Sequence, residues 1–288
     1  MKVLITGAGG QLGRALQSSA PTHADVIALD RQALDIADEA AVVALFDETE
    51  PDLIINAAAY TAVDRAESDS AEAYRINAQG PGALAAAAAV QRARFIHVST
   101  DFVFDGRSGA PYAPDHPTAP LGVYGASKLA GEQAVLAAHP DALIVRTAWV
   151  YGITGNNFVR TMLRLMAERD EVRVVADQIG TPTYAAGLAQ ALWALDAAGA
   201  TGVHHWTDSG AASWYDFAMA IQEEALAIGL LTRKVPVLPI ATSDYPTPAA
   251  RPSYSVLDKR SAIALAGGSA PHWRVHLRDM LGVIKTHG

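Results

Sequence analysis

The chain begins MKVLITGAGGQLG (Met1–Gly13), and the fold turns on how these glycines are read. Val3-Leu4-Ile5 is a short apolar run that suits a buried strand, and Gln11 to Ala20 has the pattern of a helix. Between them the stretch TGAGGQLG sets glycines at 7, 10 and 13. Glycine allows a tight turn, lets backbone approach a pyrophosphate, and lets the helix pack closely on the strand. The helix start then turns unpaired N–H groups toward the phosphates. A glycine triplet alone is a weak signal; its place between a strand and a helix gives it meaning. Gly7, Gly10 and Gly13 are therefore read as a dinucleotide-binding turn.

The same rhythm continues outward. Val26 to Leu29 is a second strand, closed by Asp30, where a carboxylate can accept hydrogen bonds from the adenosine ribose. Asp30 favours NADH, whereas Arg31 beside it could meet the 2′-phosphate of NADPH, so both cofactors stay open. Helical patterns at Glu39–Glu50, Ala71–Gln91 and Gly125–Ala138 alternate with strands at Leu53–Ile55, Phe95–Val98 and Leu143–Thr147. This order predicts an α/β fold with a Rossmann-like, doubly wound parallel sheet and right-handed crossovers. The dinucleotide-binding domain is expected over residues 1–150.

After Trp149 the alternation loosens. Helices are predicted at Phe158–Arg169, Ala185–Ala198, Trp214–Ile228 and Arg274–Ile284, with strands near Val172–Val175 and Val203–Trp206. Prolines 236, 239, 246, 248 and 252 mark a loop-rich surface. Residues 151–288 are read mainly as a smaller substrate-binding lobe over the carboxyl edge of the sheet, with some segments returning to the first domain.

Composition narrows the classes. Half of the 288 residues are hydrophobic and 18% are charged, which supports a sizeable core rather than disorder. The net charge of -8, with scattered arginines, argues against nucleic-acid or membrane-surface partners. No cysteine is present, which removes disulfides, thiolate metal sites and cysteine nucleophiles. No apolar run reaches membrane-spanning length and the N-terminus lacks a signal-peptide pattern, so a cytoplasmic location is expected.

YGASKLAGE (Tyr124–Glu132) carries the chemistry. Residues i and i+4 share a helix face, so Lys128 can lie near Tyr124. A free tyrosine, with a pKa of about 10, is a poor acid-base group at neutral pH, and a nearby ammonium favours the phenolate. The pair follows VSTDFVFDG, which puts Ser99, Thr100 and Asp101 at the carboxyl end of the fourth strand. A hydroxyl there could reach the same substrate oxygen.

The glycine turn, the post-strand Ser/Thr and Tyr-x-x-x-Lys together resemble the extended short-chain dehydrogenase/reductase superfamily. Within it the chain resembles the dTDP-4-dehydrorhamnose reductase family. The matching stretches are GGQLG (9–13), NAAAYTAVDRAE (56–67), STDFVFDG (99–106), YGASKLAGE (124–132), RTAWVYG (146–152), GNNF (155–158), DQIGTPT (177–183) and YPTPAARPSYSVLD (245–258). The resemblance implies an NADPH- or NADH-dependent reduction of the C4 ketone of a nucleotide-sugar substrate. Tyr124 would donate the proton, Lys128 would hold the nicotinamide ribose, and Thr100 would hydrogen-bond the reacting oxygen. Asp101 and Trp149 would touch the substrate, while Asn157 and Arg251 would reach its nucleotide half. Gly10, Gln11 and Leu12 would meet the pyrophosphate, Asp35 and Ile36 would lie near the adenine, and Ala59, Tyr60 and Thr61 would line the cofactor. Some relatives form dimers bridged by Mg²⁺ through carboxylates, one of them on the helix after the glycine turn. Here that place reads Arg14-Ala15, so no metal site is expected, while a homodimer stays open.

Other eye-catching residues read more plainly. His204 and His205 would point to opposite faces of a strand and not share a metal. His97 reads as a core histidine, and Trp193, Trp206, Trp214 and Trp273 as core packing. Asp64, Arg65 and Glu67 suit a solvated helix start, and Asp105-Gly106 a turn.

Overall fold

The structure is a computed structural model that describes residues 1–287. Its first half runs β1 (Lys2–Thr6), α1 (Gln11–Ser18), β2 (Asp25–Leu29), α2 (Glu39–Thr49), β3 (Leu53–Asn56), α3 (Val63–Ala66), α4 (Ser70–Tyr74), α5 (Gly80–Gln91), β4 (Arg94–Thr100), α6 (Val123–Ala138) and β5 (Leu143–Thr147). The second half adds β6 (Val150–Tyr151), α7 (Phe158–Glu168), β7 (Val172–Val175), β8 (Ile179–Gly180), β9 (Thr183–Tyr184) and α8 (Ala185–Ala197). It ends with β10 (Gly202–His205), β11 (Ala212–Ser213), α9 (Trp214–Ala227), β12 (Val237–Ile240), α10 (Arg260–Ala266) and α11 (Trp273–His287).

Six strands form the main sheet in the order β2-β1-β3-β4-β5-β10, and each neighbouring pair is parallel. Successive side chains in a strand point to opposite faces. Val3 and Ile5 accordingly join a core with Leu16 of α1 and Leu188 and Leu192 of α8. Leu4 faces the other way, with Val42 and Phe46 of α2, Leu84 of α5 and Val135 of α6. Strands buried on both sides read as unbroken apolar runs, as in LIIN of β3. The order reverses between β1 and β3, and the crevice at their carboxyl ends is where ligands of such sheets bind.

The second half contributes to both bodies. β10 pairs with β5, Val203 opposite Ile144, and extends the main sheet. The α8 indole of Trp193 donates to the Leu16 carbonyl at 3.4 Å. Apart from these, α7, α9 and α11 enclose a separate core of Val159, Met162, Phe217, Ile221, Trp273 and Leu277.

Two local expectations need correction. The helix predicted over Ala71–Gln91 is broken by a π-helical turn at Arg75–Gln79. Pro81 in the first turn of α5 has no N–H to give the carbonyl four residues earlier, at Asn77. The proline-marked segment also contains a strand, because β12 pairs in parallel with β7. Pro239 is tolerated there because the two-stranded sheet leaves that strand an open edge.

Candidate active site

Gly7 has φ +71 and abuts the loop after β3; a Cβ there would stand 2.6 Å from the Ala58 amide nitrogen. Gly13 packs against the Gly7 carbonyl so tightly that a Cβ would collide with it. No side chain caps α1, so the amides of its first turn, at Gln11, Leu12 and Gly13, face the crevice without a side-chain partner. A close-packed glycine turn with uncapped helix amides can hold a pyrophosphate, and the residues present fit a dinucleotide. Asp30 is exposed at the end of β2, with Oδ1 accepting from the amides of Gln32 and Ala33. Asp35 is paired with Arg75 at 2.7 Å, and Ile36 is buried against Gly80. Ala59, Tyr60 and Thr61 follow β3 at the rim of the same crevice. Asn77 holds that loop through both backbone groups of Tyr60, accepting from its amide at 2.8 Å and donating to its carbonyl at 3.1 Å.

The reacting end lies across β4 and α6. Thr100 Oγ1 donates to Asp101 Oδ1 at 3.0 Å, and burial pushes the Asp101 carboxyl up to about 6. Tyr124 stands in the first turn of α6 with its ring edge-on to Phe102. Burial pushes its phenol up to about 12; a hydrogen bond with Thr100 acts the other way, and the Asp101 charge adds to the rise. The sequence suggested that Lys128 would pull this phenol down. Instead Lys128 is buried and turned into β4, its Nζ donating to the Val98 carbonyl at 2.7 Å. Burial pushes that amine down to about 8.

One turn further along α6, Glu132 accepts from Ser99 at 2.5 Å and from Arg146 of β5 at 2.7 Å. Arg146 also donates to the Pro114 carbonyl. This buried network ties α6 to β4 and β5 and fixes the height of Tyr124 above the sheet.

The substrate candidates are spread around the mouth. Trp149 follows β5 at φ +48 and stacks on Trp214 with ring centres 3.5 Å apart. Asn157 caps α7 through Oδ1, and its Nδ2 donates to Gln11 Oε1 and the Gly152 carbonyl. Its polar atoms thus join the glycine turn to the second half. Arg251 donates to both carboxylate oxygens of Asp64, at 3.0 and 2.8 Å, and to the Ala249 carbonyl. Asp64, expected as a solvated helix start, is held below the usual carboxylate range, chiefly by the Arg251 hydrogen bond.

Sequence reading missed several residues here. Trp214 belongs to this cluster and not only to the core. Asn77 arrives through the π turn. His97 is the buried, satisfied core histidine that the sequence suggested, and its Nε2 lies 3.3 Å from Lys128 Nζ. Only the proline after Asn77 could have flagged one of them.

A doubly wound parallel sheet with a glycine cradle, a post-β4 hydroxyl and a helical Tyr/Lys pair defines an extended short-chain dehydrogenase/reductase. The family model described as RmlD substrate binding domain matches residues 1–285. A dTDP-4-dehydrorhamnose reductase of Mycobacterium tuberculosis is 49% identical, covering 97% of this chain and 92% of its own. The crystal structure of such a reductase from Clostridium acetobutylicum has 42% identity and a TM-score of 0.94, covering 99% of this chain and 100% of its own. One from Bacillus anthracis, in complex with NADP, has 41% identity and a TM-score of 0.92, covering 98% and 99%. The chain belongs to the dTDP-4-dehydrorhamnose reductase family. Among the described residues no helix is long and apolar enough to cross a membrane.

Proposed function

We propose that this protein reduces the C4 ketone of dTDP-4-dehydro-L-rhamnose to dTDP-L-rhamnose, with NADPH or NADH as reductant. The observation that carries this is the grouping of Thr100, Asp101 and Tyr124 at the carboxyl end of β4, on the helix that also carries Lys128. The identity to named reductases supports the choice of substrate.

Bound in the cradle, the reduced nicotinamide would supply a hydride to the ketone carbon. Gly7, Gly10, Gln11, Leu12 and Gly13 would hold the pyrophosphate, and Asp30 the adenosine ribose. Lys128 would swing from the Val98 carbonyl to reach the nicotinamide ribose, and Thr100 would turn its hydroxyl from Asp101 to donate to the ketone oxygen. Tyr124 gives its proton to that oxygen as charge develops on it. With its pKa near 12 the phenol is fully protonated at neutral pH, yet more acidic than the alcohol it creates. Asp101 and the Trp149 platform contact the sugar, and Asn157 and Arg251 flank the path to its nucleotide half.

The test follows reduced-nicotinamide absorbance with dTDP-4-dehydrorhamnose generated in situ. Steady consumption is expected, with Tyr124→Phe slower by about 10²–10⁴-fold in kcat and its NADPH Kd within about twofold. Full activity in Tyr124→Phe would remove the tyrosine from its role; no consumption with either cofactor would remove the substrate.

A further inference from the structure

Gln11 opens α1, where the first-turn amides have no side-chain cap. Its own side chain is held from the other half of the molecule. Asn157 Nδ2 stands 2.9 Å from Gln11 Oε1 and 2.8 Å from the Gly152 carbonyl oxygen. Two backbone groups decide which way these amides face. Asn157 Oδ1 accepts from the Arg160 amide of α7 at 3.1 Å, and a backbone N–H can only donate. The Gly152 carbonyl, on the other edge of Asn157, can only accept. The Asn157 NH₂ therefore lies on the side of Gly152 and Gln11, and both its hydrogens are used. The Gln11 atom that meets it must accept, so it is Oε1. Both Nε2 hydrogens of Gln11 are left over as donors, and among the described residues they have no partner.

For a side-chain amide beside an anion, the edge it presents decides the sign: NH₂ attracts and the oxygen repels. The segment 152–157 is shaped to keep the oxygen turned away. A Cβ at Gly152 would stand 3.3 Å from Gln11 Oε1, and one at Gly155 3.4 Å from Gln11 Cγ, so backbone lies directly on this side chain. Gly155 has φ +74, which favours glycine. Arg160 Nη1 ties the same segment down through the Ile153 carbonyl at 2.8 Å.

We infer that Asn157 is the positioning residue that turns the Gln11 amide so that its NH₂ is presented to the cofactor pyrophosphate. The inference rests on the reading of the glycine turn as a dinucleotide cradle and is independent of the keto-sugar. It also links the two halves. A pyrophosphate that accepts from Gln11 fixes its amide, and the fixed amide holds Asn157, the segment 152–157 and the start of α7. By reciprocity, whatever steadies this segment tightens the cofactor.

The test reads NADPH affinity by nucleotide fluorescence, with no sugar nucleotide present. Asn157→Ser keeps an oxygen to cap α7 and removes the bridging NH₂. Its unfolding midpoint in urea should stay near the native one while its Kd rises about 2- to 10-fold, because the ligand must now order Gln11 itself. Gln11→Ala should raise Kd by about 10-fold, and adding Asn157→Ser to it should change nothing more. Asn157→Asp keeps the cap but turns the bridging donor into an acceptor, so the Gln11 amide reverses. Its loss should exceed that of Asn157→Ser, and Gln11→Ala should erase most of the difference. Hydrogen exchange supplies a second readout: NADPH should slow the amides of residues 152–158 in the native protein and not in Gln11→Ala. An unchanged Kd in Asn157→Ser, or losses that add in the double variant, gives Asn157 a capping role alone and overturns the inference. A diphosphate is common to both ligands, so dTDP is titrated alone in parallel; the same pattern with dTDP and not with NADPH would give Gln11 to the substrate and overturn the assignment. A protein that shows the expected NADPH pattern but turns over no keto-sugar loses the reductase reading and keeps this one.

Discussion

The indole of Trp149 lies flat on that of Trp214, ring centres 3.5 Å apart and planes 6° from parallel. The stack is braced from below, since a Cβ at Gly180 would fall 2.6 Å from the Trp149 ring. Trp149 holds its place despite φ +48, a conformation that disfavours side-chain-bearing residues. Trp214, at the start of α9, is thus a wall that fixes the Trp149 ring. Trp214→Ala should raise KM for the sugar nucleotide by roughly 10-fold, in line with the loss of one aromatic contact. It should also abolish the coupled-indole circular dichroism. An unchanged KM alongside a lost dichroic signal would leave the stack with no part in recognition.

Gly7→Ala tests the cradle. The added methyl meets the Ala58 amide, and φ +71 suits no alanine. Strain of about 1–3 kcal/mol is expected as lost stability in urea titrations. NADPH affinity should fall more than tenfold, because the turn that aims the α1 amides must open. Retained affinity would place the pyrophosphate elsewhere.

Glu132 and Arg146 are a buried ion pair, each about one-twentieth exposed. Glu132→Leu leaves the guanidinium without its carboxylate and should cost about 3–5 kcal/mol of unfolding free energy. The double variant with Arg146→Met should recover most of that loss. If the double variant is as unstable as the single, the pair matters through shape and not charge.

His276 of α11 pairs with Asp208 at 2.9 Å. Burial lowers the imidazole, but the Asp208 hydrogen bond and charge outweigh it, and the net shift is upward from 6.5. Asp208 titrates above its ordinary value because burial outweighs its partners, His276 among them. A raised folded-state value means the stabilisation is complete below 6.5 and is lost as pH rises through the folded value. Unfolding midpoints of the native protein and His276→Gln should therefore differ most at acidic pH and converge above neutrality. A gap that widens with pH would contradict the pairing.

The fold was legible because its signals are local. Val3-Leu4-Ile5 followed by three spaced glycines names a strand, a turn and a helix within a dozen residues. Tyr124 and Lys128 were legible for the same reason, being neighbours on one helix. What stayed hidden depends on distant partners. Nothing near His97 announces Lys128, which reaches it only once α6 packs on β4. Trp214 follows a helix-capping serine and reads as a first-turn core residue until β5 delivers Trp149 to its face. The strand Val237–Ile240 was masked by its prolines, whose open edge appears only when the pairing with β7 is known. Lys128 itself was placed on the correct face, yet turned toward β4 and away from its expected effect on the phenol, because carbonyl and imidazole partners lie on that side.

The sixth strand of the main sheet, Gly202–His205, has a consequence for synthesis on the ribosome. When β5 leaves the exit tunnel, four strands stand ready to pair on its inner side and none on its outer side. The amides and carbonyls along Leu143–Arg146 stay open until Gly202–His205 is made. Through that interval the nascent chain presents an apolar, two-faced strand to whatever else is in reach. Nascent chains whose emerged part ends between residues 150 and 200 should be the ones that chaperones hold longest, and release should coincide with the emergence of His205.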